Sequence, residues 1–294
     1  MTVAEELNVS RASARLRISQ PAVSRQVRDL EGELGVSLFH REKSGLKLTA
    51  AGEAFLARAR DLLHRTSDAV REMAAFGEEP KQKLVVGYIA PALASVLTPA
   101  LRRFSQGTHP AEVVLKEISP AQQIKALREG RIDLGLIGNP CPEVEREFLV
   151  TILSRIPLQA VLPDNHLLAL RKCVGLSKLE GDEFIGFAED EFPGRNAAIR
   201  GACQAAGFTP RLRHRVENLT ALLSLVAAGK GVTLAPAEVS QLAHPQAVFV
   251  PLAPPVPFIG SAAARRKDSP HSLPLVEQLV HCCQDVGSSR QNRR

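Results

Sequence analysis

Residues 19–35, SQPAVSRQVRDLEGELG, space Val23, Val27, Leu30 and Leu34 by four, three and four, which puts them on one face of a helix. Gln20, Ser24, Arg25 and Arg28 fall elsewhere on the same helix, so its polar face is dense in hydrogen-bonding groups. The preceding stretch, NVSRASARLRI, offers Ser10 as an N-cap, Ala12 and Leu16 facing inward, and a break at Arg17 and Ile18. Pro21 at the start of the second helix suits a first turn. The pattern is therefore helix, short turn, helix, with Leu16, Ile18, Val23, Val27 and Leu30 sharing one small core.

Charge sharpens this reading. Residues 11–28 carry Arg11, Arg15, Arg17, Arg25 and Arg28 and no carboxylate; acids resume at Asp29, Glu31 and Glu33. Five arginines alone fit a solvated basic face as well as a nucleic-acid surface. The arrangement favours the second, because a helix-turn-helix sets the start of its second helix in the major groove of DNA. Gln20, Pro21, Ser24 and Arg25 occupy that start, and Gln, Arg and Pro suit adenine, guanine and a thymine methyl respectively. VSLFHREKSGLKLTAAG then supplies a strand, a basic turn at 43–45 and a returning strand, a wing whose Arg41, Lys43 and Lys47 suit phosphates. Thr49 caps a long helix with Glu53 in its first turn. Phe55, Ala59, Leu62, Thr66, Ala69, Met73 and Phe76 form a heptad seam along it, which favours pairing with a second copy.

The stretch SRASARLRISQPAVSRQVRDLEGELGVSLFHREKSGLKLTAAGEAFL resembles the winged helix-turn-helix of LysR-type transcriptional regulators in its SQPAVS, LE..LG..LF.R and LT.AG elements. EGRIDLGLIG and LVAAGKGVTLAP are similar to parts of the same family's two-lobed effector-binding domain. The resemblance implies dimers that bind double-stranded DNA and assemble into tetramers, with a small-molecule effector held between the lobes. That family's first helix usually begins about ten residues earlier; here only VAEELN stands for it. The expectation is a natural start upstream of Met1, or a marginal DNA-binding domain.

The remainder reads independently as α/β. GEEPKQK, 77–83, is a polar linker; LVVGYI, EVVLKEI and IDLGLIG are strands separated by helical segments 92–106 and 120–129. PLQAVLP, EFIGF, RLRHRV, GVTLAP and AVFVPL follow, interleaved with helices near 194–206, 218–229 and 271–284. Such alternation predicts parallel sheets. The expected organisation is a winged helix-turn-helix over 1–49, a linker helix over 50–76, a hinge over 77–83 and an effector domain over 84–294. Its first lobe takes about 84–140 and 253–294, its second about 141–252.

Ligands in such sheets collect beyond strand C-termini, where helices begin. The candidates there are Ser95, Ser119, Pro120 and Asn139 on the first lobe and Phe192, Arg195, Asn218 and Thr220 on the second. Hydroxyls, N–H groups and Arg195 suit a carboxylate. Glu189, Asp190 and Glu191 just upstream, if they point into the cleft, suit a cationic or neutral ligand.

Other chemistry is thin. The chain has no GxxxxGK[ST], GxGxxG, HExxH or GxSxG, and consecutive His281, Cys282 and Cys283 diverge on a helix, so no catalytic or metal site and no cofactor is expected. Apolar runs fall short of the ~20 residues a bilayer needs, and residues 1–20 lack a signal-peptide core, which points to the cytoplasm. Five scattered cysteines make no disulfide framework; Cys203 is either a buried filler or an oxidant sensor. A solute-binding protein would explain the second half alone, whereas a ligand-responsive regulator explains both halves.

Overall fold

Asn8, with extended backbone, starts the first long helix: its side-chain oxygen accepts the Arg11 amide at 3.1 Å. The helix begins at Val9, so Ser10, the expected cap, lies inside it. The computed structural model describes all residues except 43–44, 75–81, 108–110, 243, 268–272 and 292–294. It has two compact units, Met1–Glu78 and Glu79–Arg294.

The first unit runs α1 (Thr2–Glu6), α2 (Val9–Leu16), α3 (Gln20–Leu34), the hairpin β1 (Phe39–Glu42) and β2 (Gly45–Leu48), and α4 (Ala50–Ala74). Val3, Ala12 and Val23 form its fully buried centre, flanked by Val9, Val27, Phe39 and Leu46. Leu16 and Ile18, expected inside, are 44% and 41% exposed. The physical reason is length: five residues of α1 extend only about 7.5 Å, so Val3 covers Ala12 and leaves Leu16, a turn further on, bare. Leu30 lines an apolar groove of about 70 Å³ with Met1, Val27, Leu38 and Phe55.

The sequence motifs have local causes. Gly35 takes the left-handed conformation (φ 68°) that ends α3. The Glu31 carboxylate accepts the Leu38 and Phe39 amides at 2.7 and 3.0 Å, turning the chain into β1. Thr49 donates its hydroxyl to the Ser37 carbonyl at 2.7 Å and accepts the Gly52 amide at 2.9 Å, which sets the start of α4.

The second unit begins with β3 (Gln82–Tyr88) and a composite helix: α5 (Ala90–Ala92), a π-helical turn over Leu93–Leu97, and α6 (Thr98–Phe104). There follow β4 (Ala111–Glu117), α7 (Pro120–Arg128), β5 (Leu134–Leu136), α8 (Pro142–Glu147), β6 (Leu149–Pro163), β7 (Glu183–Phe187) and α9 (Arg195–Ala205). The chain ends with β8 (Arg211–Val216), α10 (Leu219–Ala227), β9 (Thr233–Pro236), β10 (Ala247–Pro251), β11 (Phe258–Arg265) and α11 (Leu273–Gln291).

Strand order is β10-β6-β11-β5-β3-β4, with β9 also on β6. β3 is parallel to β4 and β5, but β11 runs antiparallel to β5 and β6, and β9 and β10 antiparallel to β6. The parallel sheets expected from the sequence are thus mixed, because β6 and β11 carry the chain between the lobes and back. β6 pairs with β11 over Leu149–Pro157 and with β9 and β10 over Leu158–Pro163. The crossing therefore lies near Pro157 and not at 141: Val144 and Phe148 pack with Ile124 and Leu127 of the first lobe. In the second lobe the parallel pair β7–β8 joins through a Phe184–Val232 bridge. Each lobe buries apolar residues on both sheet faces, among them Leu84, Leu97 and Leu279 in the first and Phe184, Ile199, Leu222 and Val226 in the second.

Candidate functional site

Two surfaces carry functional chemistry, one on each unit. On the first, Gln20, Pro21, Arg25 and Arg28 are exposed and Ser24 half-buried along the N-terminal half of α3. Arg25 makes no hydrogen bond or ion pair among the described residues, so its fork is free to meet a base edge. Arg28 donates weakly to the Ser24 carbonyl at 3.3 Å. Arg11 differs from the sequence expectation of an available cation: it is held by Glu6, through the backbone carbonyl at 2.5 Å and the carboxylate at 3.6 Å. Lys47 is exposed on β2, Arg41 is on β1, and Lys43 lies outside the described residues. Leu46 donates its amide to the Leu7 carbonyl at 2.9 Å, which ties the wing to α1.

In the second unit a cleft of about 490 Å³ opens between the lobes. Ile89, Ala90, Glu117, Ser119 and Gln122 line it from the first lobe, and Glu191, Phe192, Glu217, Asn218, Thr220 and His244 from the second. The lobes touch across it: Ala121 donates its amide to the Glu191 carbonyl at 3.2 Å, and Gln122 Nε2 donates to the Glu191 carboxylate at 3.3 Å. Two helices begin at this cleft, and they differ. At α7 the first position is Pro120, which has no N–H; the amides of Ala121, Gln122 and Gln123 are already spent on Glu191, the Ser119 hydroxyl and the Ser119 carbonyl. At α10 Asn218 accepts the Ala221 amide at 2.8 Å, and the amides of Leu219 and Thr220 ahead of it have no partner among the described residues. The donors that an anion can use are thus on α10.

A second, small cavity of about 20 Å³ shares Ile89 and Leu219 with the cleft and is lined also by Pro91, Gly138, Arg195, Glu238 and Ser261. Arg195 is buried, 9% exposed, and its Nη1 has no hydrogen-bond partner. Its guanidinium lies over the Phe187 ring, 5.8 Å from the ring centroid. Burial pushes its pKa down to about 10, and it also occupies the first position of α9, where the helix dipole disfavours a cation. Glu189 does not compensate it: that carboxylate accepts the Gly194 amide at 2.6 Å and Asn196 Nδ2 at 3.0 Å, capping α9. Of the three upstream acids, only Glu191 lines the cleft.

Ser119, Phe192, Asn218 and Thr220 are brought together in the cleft, with Arg195 next door. Ser95 is not: it is fully buried in the π-helical turn, its hydroxyl unpartnered, and lines neither cavity. Pro120 is buried, and Asn139 accepts the Gly260 amide at 3.1 Å, a contact within the first lobe's sheet. Glu117, Gln122, Glu217 and His244 were missed by sequence reasoning. Glu117 and Glu217 end or follow a strand just before the caps Ser119 and Asn218, so the rule that found the caps could have found them. His244 comes from a different element and had no such signal.

Cys203 is fully buried, and burial pushes its thiol up to about 12. Its thiolate fraction at neutral pH is then below roughly one in ten thousand. We expect iodoacetamide to alkylate exposed Cys173 in the folded chain and to leave Cys203 untouched; peptide mapping that finds Cys203 modified at a similar rate refutes this.

A winged helix-turn-helix with a free reading helix, and a two-lobed α/β domain with a cleft between its lobes, define a DNA-binding regulator that answers to a small molecule. Residues 1–53 match the bacterial regulatory helix-turn-helix protein model of the lysR family, and residues 77–288 match the LysR substrate binding domain. The chain is 36% identical over 245 residues to the HTH-type transcriptional regulator TfdS of Cupriavidus pinatubonensis (strain JMP 134 / LMG 1197), covering 83% of this chain and 82% of that one. It is 33% identical over 268 residues to the Hca operon transcriptional activator HcaR of Escherichia coli (strain K12), covering 91% and 89%. Among solved structures it is similar to full-length CbnR complexed with its target DNA, with a TM-score of 0.64 and 27% identity over 97% of this chain and 96% of that one. The chain belongs to the LysR family of transcriptional regulators: it binds DNA through its helix-turn-helix, responds to a small-molecule effector and is not an enzyme. None of its described helices is long and apolar enough to cross a membrane.

Proposed function

We propose that the effector is a small molecule bearing a carboxylate, bound in the 490 Å³ cleft and anchored by Arg195. The buried guanidinium, without an ion pair among the described residues, carries this reading, because burying an unpaired charge costs stability that a bound anion recovers. The free amides of Leu219 and Thr220 at the start of α10 are the accompanying donors. On DNA, Gln20, Pro21, Ser24 and Arg25 read bases, while Arg28, Arg41, Lys43 and Lys47 hold the backbone and Arg11 is the weakest contributor, being held by Glu6. Two copies pair along α4, where Leu62 and Leu63 are 64% and 54% exposed, and dimers join into tetramers. The protein works in the cytoplasm, beside its operator.

A ligand moves such a regulator only if it binds one arrangement of lobes and subunits better than another. We expect Thr220→Val to abolish the inducer-dependent change in the footprint on the intergenic DNA beside the protein's own gene. An inducer response with unchanged midpoint and amplitude in both Thr220→Val and Arg195→Met puts the effector site elsewhere.

A further inference from the structure

The cleft is lined by three glutamates, and its small neighbour by one arginine, Arg195, and one glutamate, Glu238. Glu117, Glu191 and Glu217 line the cleft, and no described lysine or arginine does. Gln122 Nε2 donates to both oxygens of the Glu191 carboxylate, at 3.5 and 3.3 Å; Glu117 and Glu217 are solvent-exposed. Across the shared residues Ile89 and Leu219 lies Arg195, buried, orphaned at Nη1 and with no carboxylate paired to it, although Glu238 lines the same cavity. Leu219, which carries one of the two spare amides at the start of α10, lines both cavities, and Thr220, which carries the other, lines the cleft. One wall therefore asks for an anion and the rest of the opening for a cation.

Resting on the reading of the cleft as the effector site, we propose that the effector is a zwitterion of the amino-acid type. Its carboxylate pairs with Arg195 and the amides of Leu219 and Thr220, and its ammonium group sits among Glu117, Glu191 and Glu217. A carboxylic acid of the same body brings no cation to the three carboxylates of the cleft. An amine of the same body leaves Arg195 as uncompensated as it is in the empty domain. Only a molecule with both charges answers both walls.

The test is thermal unfolding of the full chain with the twenty amino acids, each beside its deaminated acid and its decarboxylated amine, at about 10 mM. At least one amino acid is expected to raise Tm by several degrees, with a midpoint concentration about tenfold or more below that of its acid and of its amine. Arg195→Met should abolish that shift and, by removing an unpaired buried charge, raise the Tm of the free chain; a merely structural arginine would lower it. Glu191→Gln combined with Glu217→Gln should narrow or reverse the preference over the acid. Equal stabilisation by the acid overturns the zwitterion and leaves the cleft as the effector site. A shift that survives both Arg195→Met and the double glutamine variant places the ligand elsewhere and overturns both readings. No shift with any compound overturns the zwitterion.

Discussion

Gly52→Ala should cost the first unit about 3 kcal/mol and remove operator binding at physiological temperature. A Cβ built on Gly52 would lie 2.1 Å from the Leu38 carbonyl oxygen and 2.9 Å from a Leu48 methyl. The carbonyl cannot yield, because the Leu38 amide is held by Glu31 and the neighbouring Ser37 carbonyl by Thr49. The first turn of α4 must then retreat from the wing and break the Thr49–Gly52 cap. Overpacking of this kind costs roughly 1–3 kcal/mol, and more where backbone is struck. A unit whose fully buried centre is Val3, Ala12 and Val23 has little to spare. Hydrogen exchange of residues 20–60 and mobility shifts check this, with Glu53→Ala as the control on the exposed side. Full operator affinity in Gly52→Ala would refute the close approach.

The second large effect separates reading from holding. Arg25→Ala is expected to lose about 1–3 kcal/mol on the operator and little on random duplex, the signature of a base-reading arginine. Lys47→Ala should weaken both duplexes alike and lower the salt slope by about one unit. The structure motivates the contrast: Arg25 makes no hydrogen bond or ion pair among the described residues at the exposed start of α3, whereas Lys47 is on the wing. Equal losses on the two duplexes for Arg25→Ala would remove it from the reading set.

Much of the first unit was legible because its determinants are local. Helix α3, the hairpin, the Thr49 cap and Glu53 in the first turn of α4 all follow from spacing, turn chemistry and charge near a helix end. The misplaced cap at Ser10 was a local error too, settled by which oxygen reaches the Arg11 amide. The exposed Leu16 was not local: helical spacing says which residues share a face, not how far a neighbouring helix extends over it.

In the second unit most strands were found from their apolar runs, and β11 and the first half of β6 were not. FIGSAAAR has the small residues of neither a typical strand nor a typical loop, yet it forms β11 because β5 and β6 both hydrogen-bond to it. LVTILSRI carries the strand-forming Val150, Thr151, Ile152 and Ile156 and forms the first half of β6 along β11. Those two segments carry the chain across and back, so missing them made the sheets look parallel and set the lobe boundary too early.

The sequence by itself determined that helix, turn, helix and wing precede an α/β region, and which caps sit at the mouth: Ser119 and Asn218 are read from residue type beside a strand end. Tertiary structure decided what those caps can still bind. Ala121 and Gln123 look as available as Leu219 and Thr220 in a string of letters, but the Glu191 and Ser119 carbonyls consume the first pair. Arg195 is likewise one arginine among many until folding buries it at a helix start with no ion pair among the described residues. Hydrogen bonds across lobes and the loss of water around a charge depend on residues distant in sequence, and only the folded chain brings them together.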